Sequence, residues 1–256
     1  MGRGPALSRG VDVLEHFAEF GYARLGRVCP EATCRDLVAR AEALMLGADP
    51  ELGLFFQHDA PTGRYEDLTF NAGWVGPSLN YRKVERLERD EVFLAWIRNP
   101  EFERLATAVL GPRVALYRSV LWNKAADTNM AVPWHQDDGR FWGLDRPPSL
   151  QFWTALDDAP VEAGCLEVVP GSHRGGLATP EGGTIPPERL AEAEAAAVAL
   201  PAERGEVILV HNHVWHRTGQ NTSGRPRRAV SVSVLDGAAR CRRKRRAPRQ
   251  FLRLWG

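Results

Sequence analysis

Apolar positions recur at helical spacing through the first 112 residues and at strand spacing after them. Val11, Leu14, Phe17 and Phe20 share one face of a helix over residues 8–20, with Ser8 placed to cap it. Gly21-Tyr22-Ala23-Arg24-Leu25 reads as a short strand. Pro30 and Glu31 open a second amphipathic helix that runs to about Leu46 and turns Leu37, Ala41 and Leu44 inward. Asp90 is placed to cap a helix over Glu91–Ile97. Pro100–Leu110 is a further helix, stopped by Gly111-Pro112. Residues 47–80 carry Gly, Asp and Pro but also Phe55, Phe56, Phe70 and Trp74. That is too many aromatics for a linker, and the stretch is expected to be a packed excursion near a site.

From Val114 the period shortens. Val114–Asn123, Leu150–Leu156, Cys165–Val169, Glu206–His211 and Arg228–Leu235 are β-type runs separated by turn residues. Helices first and strands after predict an α+β chain whose second half is an antiparallel barrel or sandwich. Residues 175–204 interrupt the strands with a Gly/Pro-rich turn and an Ala/Glu helix over Pro187–Leu200. An insertion of this kind at a barrel mouth is a candidate lid. The expected organisation is one domain over residues 1–256: a mainly helical part (1–112), a β core (113–239) with the insertion, and a tail (240–256).

Composition adds constraints. With 44% hydrophobic and 25% charged residues, the chain is an ordinary globular one that can bury a core. No run approaches the length of a membrane span, and no apolar segment follows the first residues as a secretory signal would. Cys29, Cys34, Cys165 and Cys241 show no paired spacing, so a reduced, cytoplasmic setting is expected. The net charge of +1 is uneven: eight basic residues and no acidic one lie between Arg240 and the end, which leaves about −7 for residues 1–239. The Arg242–Arg246 run suits phosphate or nucleic acid, but no nucleic-acid fold accompanies it. A solvated or self-packing tail is the expectation.

The chemistry gathers around Trp134-His135-Gln136-Asp137-Asp138. On a strand, residues i and i+2 point the same way, so His135 and Asp137 can reach one metal from one side. Two imidazoles and one carboxylate form a facial triad for non-haem Fe(II) that leaves coordination positions open. A lone His-x-Asp pair is common, and the third ligand has to come from elsewhere. His211, His213 and His216 are all available.

The run Gly164-Cys165-Leu166-Glu167-Val168-Val169-Pro170-Gly171-Ser172-His173 resembles a stretch of the phytanoyl-CoA dioxygenase family of Fe(II)/2-oxoglutarate oxygenases. It follows Trp134–Asp137 as in that family. Gly205–His211 then resembles a late core strand, and His216-x-Thr218-Gly219-Gln220-Asn221 follows, with Arg227 eleven residues after His216. Tyr81–Val84 and Trp122-Asn123-Lys124 resemble family positions more weakly. Residues 1–75 match only in general pattern, and residues 240–256 do not match.

The resemblance implies a double-stranded β-helix (jelly-roll, cupin-like) with helices packed on one side. It implies that His135, Asp137 and His216 hold iron and that O2 is a co-reactant. Arg227 would hold the distal carboxylate of 2-oxoglutarate, a task suited to a planar guanidinium, with Thr218 and Ser231 assisting and Lys83 and Trp153 nearby. Arg228 competes, but strand alternation puts Arg227, Ala229 and Ser231 on one face and Arg228 on the other. The carboxylate at Asp137, which halogenating relatives replace by a small residue, points to oxygenation or oxidative cyclisation. His173 corresponds to a structural turn residue, and His58-Asp59 lacks ligand geometry.

The expected substrate is a small molecule. Asp138, Arg140, Phe141 and Trp142 follow the ligand pair and should rim the site. Trp74, Asn71 and Tyr81 are further candidates, since flat aromatics beside polar groups suit a sugar or other polar ring. A natural-product tailoring enzyme is the favoured reading, extending to orthoester formation on an oligosaccharide antibiotic. An acyl-CoA or small-metabolite hydroxylase is the alternative. A non-catalytic metal-binding barrel and a nucleic-acid-directed oxygenase are the readings from other classes.

Overall fold

A computed structural model describes residues 13–69, 73–126, 130–243 and 249–256. The expected helix starting at Ser8 is seen from Val13, as α1 (Val13–Phe20); Ser8 and Val11 lie outside the described residues, as do Phe70 and Asn71. Then follow β1 (Tyr22–Arg27), α2 (Glu31–Met45), β2 (Phe55–His58), β3 (Tyr81–Glu85), α3 (Glu91–Ile97) and α4 (Pro100–Leu110). The β-rich half comprises β4 (Val114–Lys124), β5 (Val132–Gln136), β6 (Leu150–Ala155), β7 (Leu166–Val169), β8 (Gly183–Thr184), α5 (Leu190–Ala196), β9 (Val198–Leu200), β10 (Glu206–Val210), β11 (Trp215–Thr218), β12 (Arg227–Asp236) and β13 (Arg253–Trp255).

The strands form two antiparallel sheets. The larger runs β1-β10-β6-β12-β4-β3-β2, with β13 added to β4, and the smaller runs β8-β5-β11-β7-β9. The period-2 pattern of β12 shows how the layers are made. Val230, Val232 and Val234 face a core shared with Leu37 and Leu44 of α2, Phe93 of α3 and Phe102 of α4. Ala229 faces the opposite way, into a second cluster with Trp153, Leu166, Val168 and Val210. Residues buried on both faces of a sheet read as near-continuous apolar runs. Helices therefore cover one face of the large sheet, the small sheet covers the other, and the space between the sheets is left for polar groups. This is the α+β, double-stranded β-helix architecture.

Two local expectations differ from the structure. The excursion 47–80 contains β2, which pairs with β3 from Phe55↔Glu85 to His58↔Tyr81 and extends the large sheet. The Ala/Glu helix of the insertion ends at Ala196, and Val198–Leu200 pairs with β7 instead. Helix propensity lost there to an open sheet edge.

Asp90 caps α3 as its position suggests, accepting from the backbone N–H of Val92 at 3.1 Å and Phe93 at 3.2 Å. It also pairs with Arg40 Nε at 2.6 Å, tying α3 to α2. Asp90→Ala should lower unfolding free energy by about 2 kcal/mol, from one cap and one part-buried ion pair. Denaturant melts of the two proteins with equal slopes would check it. Among the described residues no helix is long and apolar enough to cross a membrane.

Candidate metal centre and its two chambers

β5 and β11 are neighbours in the small sheet, and their register sets His135 directly opposite His216. Asp137 follows the end of β5, two residues beyond His135 and pointing the same way. The imidazole rings sit 4.1 Å apart between centroids. His135 Nε2 lies 3.8 Å from Asp137 Oδ1, and His216 Nε2 lies 3.7 Å from Asp137 Oδ2. One ligand atom from each of the three falls within 4.8 Å of the others.

The tautomers follow from the second hydrogen bond of each ring. His135 Nδ1–H donates to Pro133 O at 2.8 Å, and His216 Nδ1–H donates to Val214 O at 2.9 Å. A carbonyl can only accept, so each Nε2 keeps its lone pair and aims it at Asp137. Burial, and then the neighbouring His216, lower the His135 pKa to about 4. Burial opposes charge on Asp137, yet Arg118, His216 and His135 outweigh it and hold its carboxyl well below the usual range. Arg118 Nη2 reaches Asp137 Oδ1 at 2.9 Å. Two imidazole Nε2 atoms and an ionised carboxylate converging on one point are a donor set for a divalent transition metal.

Two chambers meet at this cluster. The inner one, about 680 Å³, lies between the sheets and is lined by Lys124, Trp153, His216, Thr218 and Arg227 among others. The outer one, about 1830 Å³ with its mouth, is lined by Tyr117, Arg118, Trp142 and the start of β8. His135, Asp137, Trp122 and Arg82 border both.

Arg227 is 1% exposed, yet among the described residues no carboxylate forms an ion pair with it. Its Nη2 donates to Gly164 O at 2.9 Å, and burial lowers its pKa to about 10, which still leaves it charged. Gly164 is needed for that contact: its φ is +69°, and a Cβ would lie 2.3 Å from Gly219 O. Arg228, on the other face of β12, is bonded to Asp157 at 2.7 Å and to Glu42. Lys124 also borders the inner chamber, its Nζ donating to Met130 O at 2.9 Å. Burial and then Arg227 lower its pKa to about 7.

The other expected site residues divide. Thr218 and Trp153 line the inner chamber, with Arg227 Cζ 5.9 Å from the Trp153 ring. Ser231 stands behind the wall, donating to Gln151 Oε1 at 2.9 Å and accepting from Trp122 Nε1 at 3.2 Å. Lys83 lines the outer chamber rather than the inner one, its Nζ held by Glu85 at 2.7 Å. Trp142 and Phe141 border the outer chamber.

Asp138 does not touch either chamber: the chain turns after Asp137, and Asp138 Oδ2 accepts from His213 Nε2 at 2.9 Å. That bond also removes His213 from the metal cluster, and His211 packs at a tilt against His173 and Phe17 instead. Arg140 reaches away to Glu181 at 2.5 Å. Tyr81 is fully buried, its hydroxyl donating to Gly76 O at 2.7 Å, and Trp74 lies against Gly47. None of these three borders a chamber. The insertion expected as a lid is tied down at the mouth, where Thr184 pairs with His135 and Gln136 Nε2 donates to Gly176 O at 2.8 Å.

Sequence reasoning missed Arg118 and gave no site role to Lys124, Arg82 or Asp59, though it quoted all three. Arg118 had a signal, because an arginine within the apolar run Val114–Trp122 has to be buried and paired. Asp59 had none; it enters the inner chamber only because the β2–β3 hairpin carries it there, 3.2 Å from Arg82 Nε.

The model of the phytanoyl-CoA dioxygenase (PhyH) family matches residues 17–229. The phytanoyl-CoA dioxygenase domain-containing protein 1 of Bos taurus is 34% identical over 114 residues, taking in 41% of this chain and 39% of that protein. The peroxisomal phytanoyl-CoA dioxygenase of Homo sapiens is 29% identical over 179 residues, with 64% and 52% covered. The chain thus spans about half or less of the length of these two relatives. Among solved structures, the non-heme alpha ketoglutarate dependent carbocyclase SnoK from nogalamycin biosynthesis shares the fold at a TM-score of 0.73, with 22% identity over 98% of this chain and 96% of that one.

Proposed function

The chain belongs to the phytanoyl-CoA dioxygenase family, and from that premise we propose that it is an Fe(II)- and 2-oxoglutarate-dependent oxygenase that hydroxylates or oxidatively cyclises a small molecule. The observation that carries this reading is one chamber holding both the His135, Asp137 and His216 cluster and a buried Arg227 with no carboxylate partner among the described residues. The first fits a metal with open positions, and the second fits the distal carboxylate of a dicarboxylic acid.

Bound iron would supply the activation of O2, coupled to oxidative decarboxylation of 2-oxoglutarate to succinate and CO2. The chain's own part is positional. The Pro133 and Val214 carbonyls orient the two imidazoles, and Arg118 keeps Asp137 ionised and turned toward them. Arg227 and Thr218 would grip the far end of the cosubstrate in the inner chamber, leaving the outer chamber for the molecule to be oxidised. Ser231 and Gln151 brace Trp122 at the junction.

The finer reading is natural-product tailoring, extending to a glycosylated or oligosaccharide antibiotic. It is supported by the stacked Tyr117 and Trp142 rings of the outer chamber, and by the fold likeness to a carbocyclase from nogalamycin biosynthesis. The test is anaerobic titration of the protein with Fe(II) and then 2-oxoglutarate, followed by succinate release in air. Failure to bind the pair, with no succinate formed even without a substrate, leaves a non-catalytic barrel as the better account.

Lys124 makes this reading pH-dependent. Its pKa of about 7 should rise when a dicarboxylate binds beside it, so binding takes up a proton. Affinity for 2-oxoglutarate is then greatest below pH 7 and weakens by up to about tenfold per unit as pH rises above it. Lys124→Met should flatten that profile. A wild-type affinity constant from pH 6 to 9 would remove Lys124 from the cosubstrate site.

A further inference from the structure

The described parts of the basic tail, residues 240–243 and 249–256, lie against the body of the molecule. Arg242 N donates to Gly143 O at 2.6 Å, Arg243 Nε donates to Trp142 O at 3.0 Å, and Arg249 Nη2 donates to Tyr117 O at 2.6 Å. β13 then pairs with β4 and buries Leu254 and Trp255 in the main core. These contacts carry Arg243 and Arg249 into the wall of the outer chamber, the one that opens on His135 and Asp137.

The charge there is unbalanced. The described wall has six cationic side chains against three carboxylates, one of which is Asp137. Arg82 is answered by Asp59, Lys83 by Glu85 and Arg118 by Asp137. Arg243 and Arg249 form no ion pair with any described carboxylate, and both donate to main-chain carbonyls. Glu85 is the acid whose charge Arg249 influences, and it is already bonded to Lys83. Tyr117 and Trp142, whose carbonyls hold the two arginines, stack at 4.7 Å and 11°, with Arg249 Cζ 4.7 Å from the Tyr117 ring. Two guanidiniums fixed by carbonyl bonds beside an aromatic pair keep free N–H groups for an anion, and little ordering is left to lose when it binds.

We propose that Arg243 and Arg249 form an oxyanion subsite of the outer chamber, so that the substrate carries a carboxylate or phosphate group held by the tail while its reacting carbon faces His135 and Asp137. This rests on the oxygenase reading and narrows its substrate class. The tail is thereby a specificity element of the site.

The experiment uses the full chain loaded with Fe(II) and saturating 2-oxoglutarate under anoxia. Calorimetry measures binding of benzyl phosphate, benzoate and neutral benzyl alcohol to wild type, Arg243→Gln, Arg249→Gln and Arg35→Gln. Arg35, exposed on α2, controls for the loss of one positive charge. One of the two anions should bind and the alcohol should not; which anion it is tells phosphate from carboxylate. Each tail variant should weaken binding about tenfold or more, with Arg35→Gln unchanged and Arg243→Lys and Arg249→Lys partly restored. Wild-type anion affinity in both tail variants overturns the proposal, as does anion binding that appears only when 2-oxoglutarate is left out, which would put the anion at Arg227. Tighter binding of a single-stranded oligonucleotide, lost in the same variants, overturns it in favour of nucleic acid. Failure to load Fe(II) and 2-oxoglutarate counts against the oxygenase reading instead, and the anion titration still decides the subsite.

Discussion

His135→Ala should abolish turnover, with at least about a thousandfold loss of succinate formation, while the protein stays folded. The ring supplies one Nε2 donor and a single bond to Pro133 O, and its removal leaves no buried charge unpaired. Asp137→Ala should lose as much activity but behave differently in a melt. It strips Arg118 of the one ion-pair partner it has among the described residues, and an uncompensated, largely buried guanidinium costs about 3 kcal/mol. Arg118→Met in the Asp137→Ala background should recover part of that stability and none of the activity. Wild-type turnover in His135→Ala, or a melt of Asp137→Ala that matches His135→Ala, would contradict the assignment of this cluster.

The second large effect is expected at Arg227. Arg227→Ala should raise the 2-oxoglutarate concentration needed for half-maximal rate by about two orders of magnitude, the loss of a charged two-point contact, and leave Fe(II) affinity nearly unchanged. Arg227→Lys should recover only part, because an ammonium cannot present a fork to both carboxylate oxygens. Arg228→Ala is the contrast. Its guanidinium is committed to Asp157 and Glu42 on the helix side of the sheet, so it should lower the melting temperature and spare cosubstrate affinity. A cosubstrate defect in Arg228→Ala with none in Arg227→Ala would exchange the two roles.

The inner half of the site was more legible than the outer half. Strand alternation separates Arg227 from Arg228, and the i, i+2 spacing places His135 and Asp137 on one side; both rules are local and follow from the pleat. The third histidine could not be chosen from spacing alone among His211, His213 and His216. The antiparallel register of β11 against β5 brings His216 opposite His135 and leaves His213 to bond Asp138. The same turn explains why Asp138, adjacent in sequence to a ligand, lies outside both chambers. Of the sequence neighbours of the ligand pair, Phe141 and Trp142 border the outer chamber, while Asp138 and Arg140 do not. Tyr117, Arg118, Arg243 and Arg249 line it from a strand and a tail far away in the chain.

Residue type and period alone determined the helices-then-strands layout, the two faces of β12, the capping of α3 by Asp90, and the pairing of an imidazole with a carboxylate on one strand edge. Each depends on contacts within a few residues. Only the tertiary structure decided that β11 meets β5, that Lys124 stands beside Arg227, that Lys83 belongs to the outer chamber, and that Arg243 and Arg249 join its wall. Those outcomes depend on which sheet edges meet and which loops cross them. The free energy that selects them comes from burying Trp255 and Leu254 against β4 and Val198–Leu200 along β7, contacts that no local stretch of the chain contains.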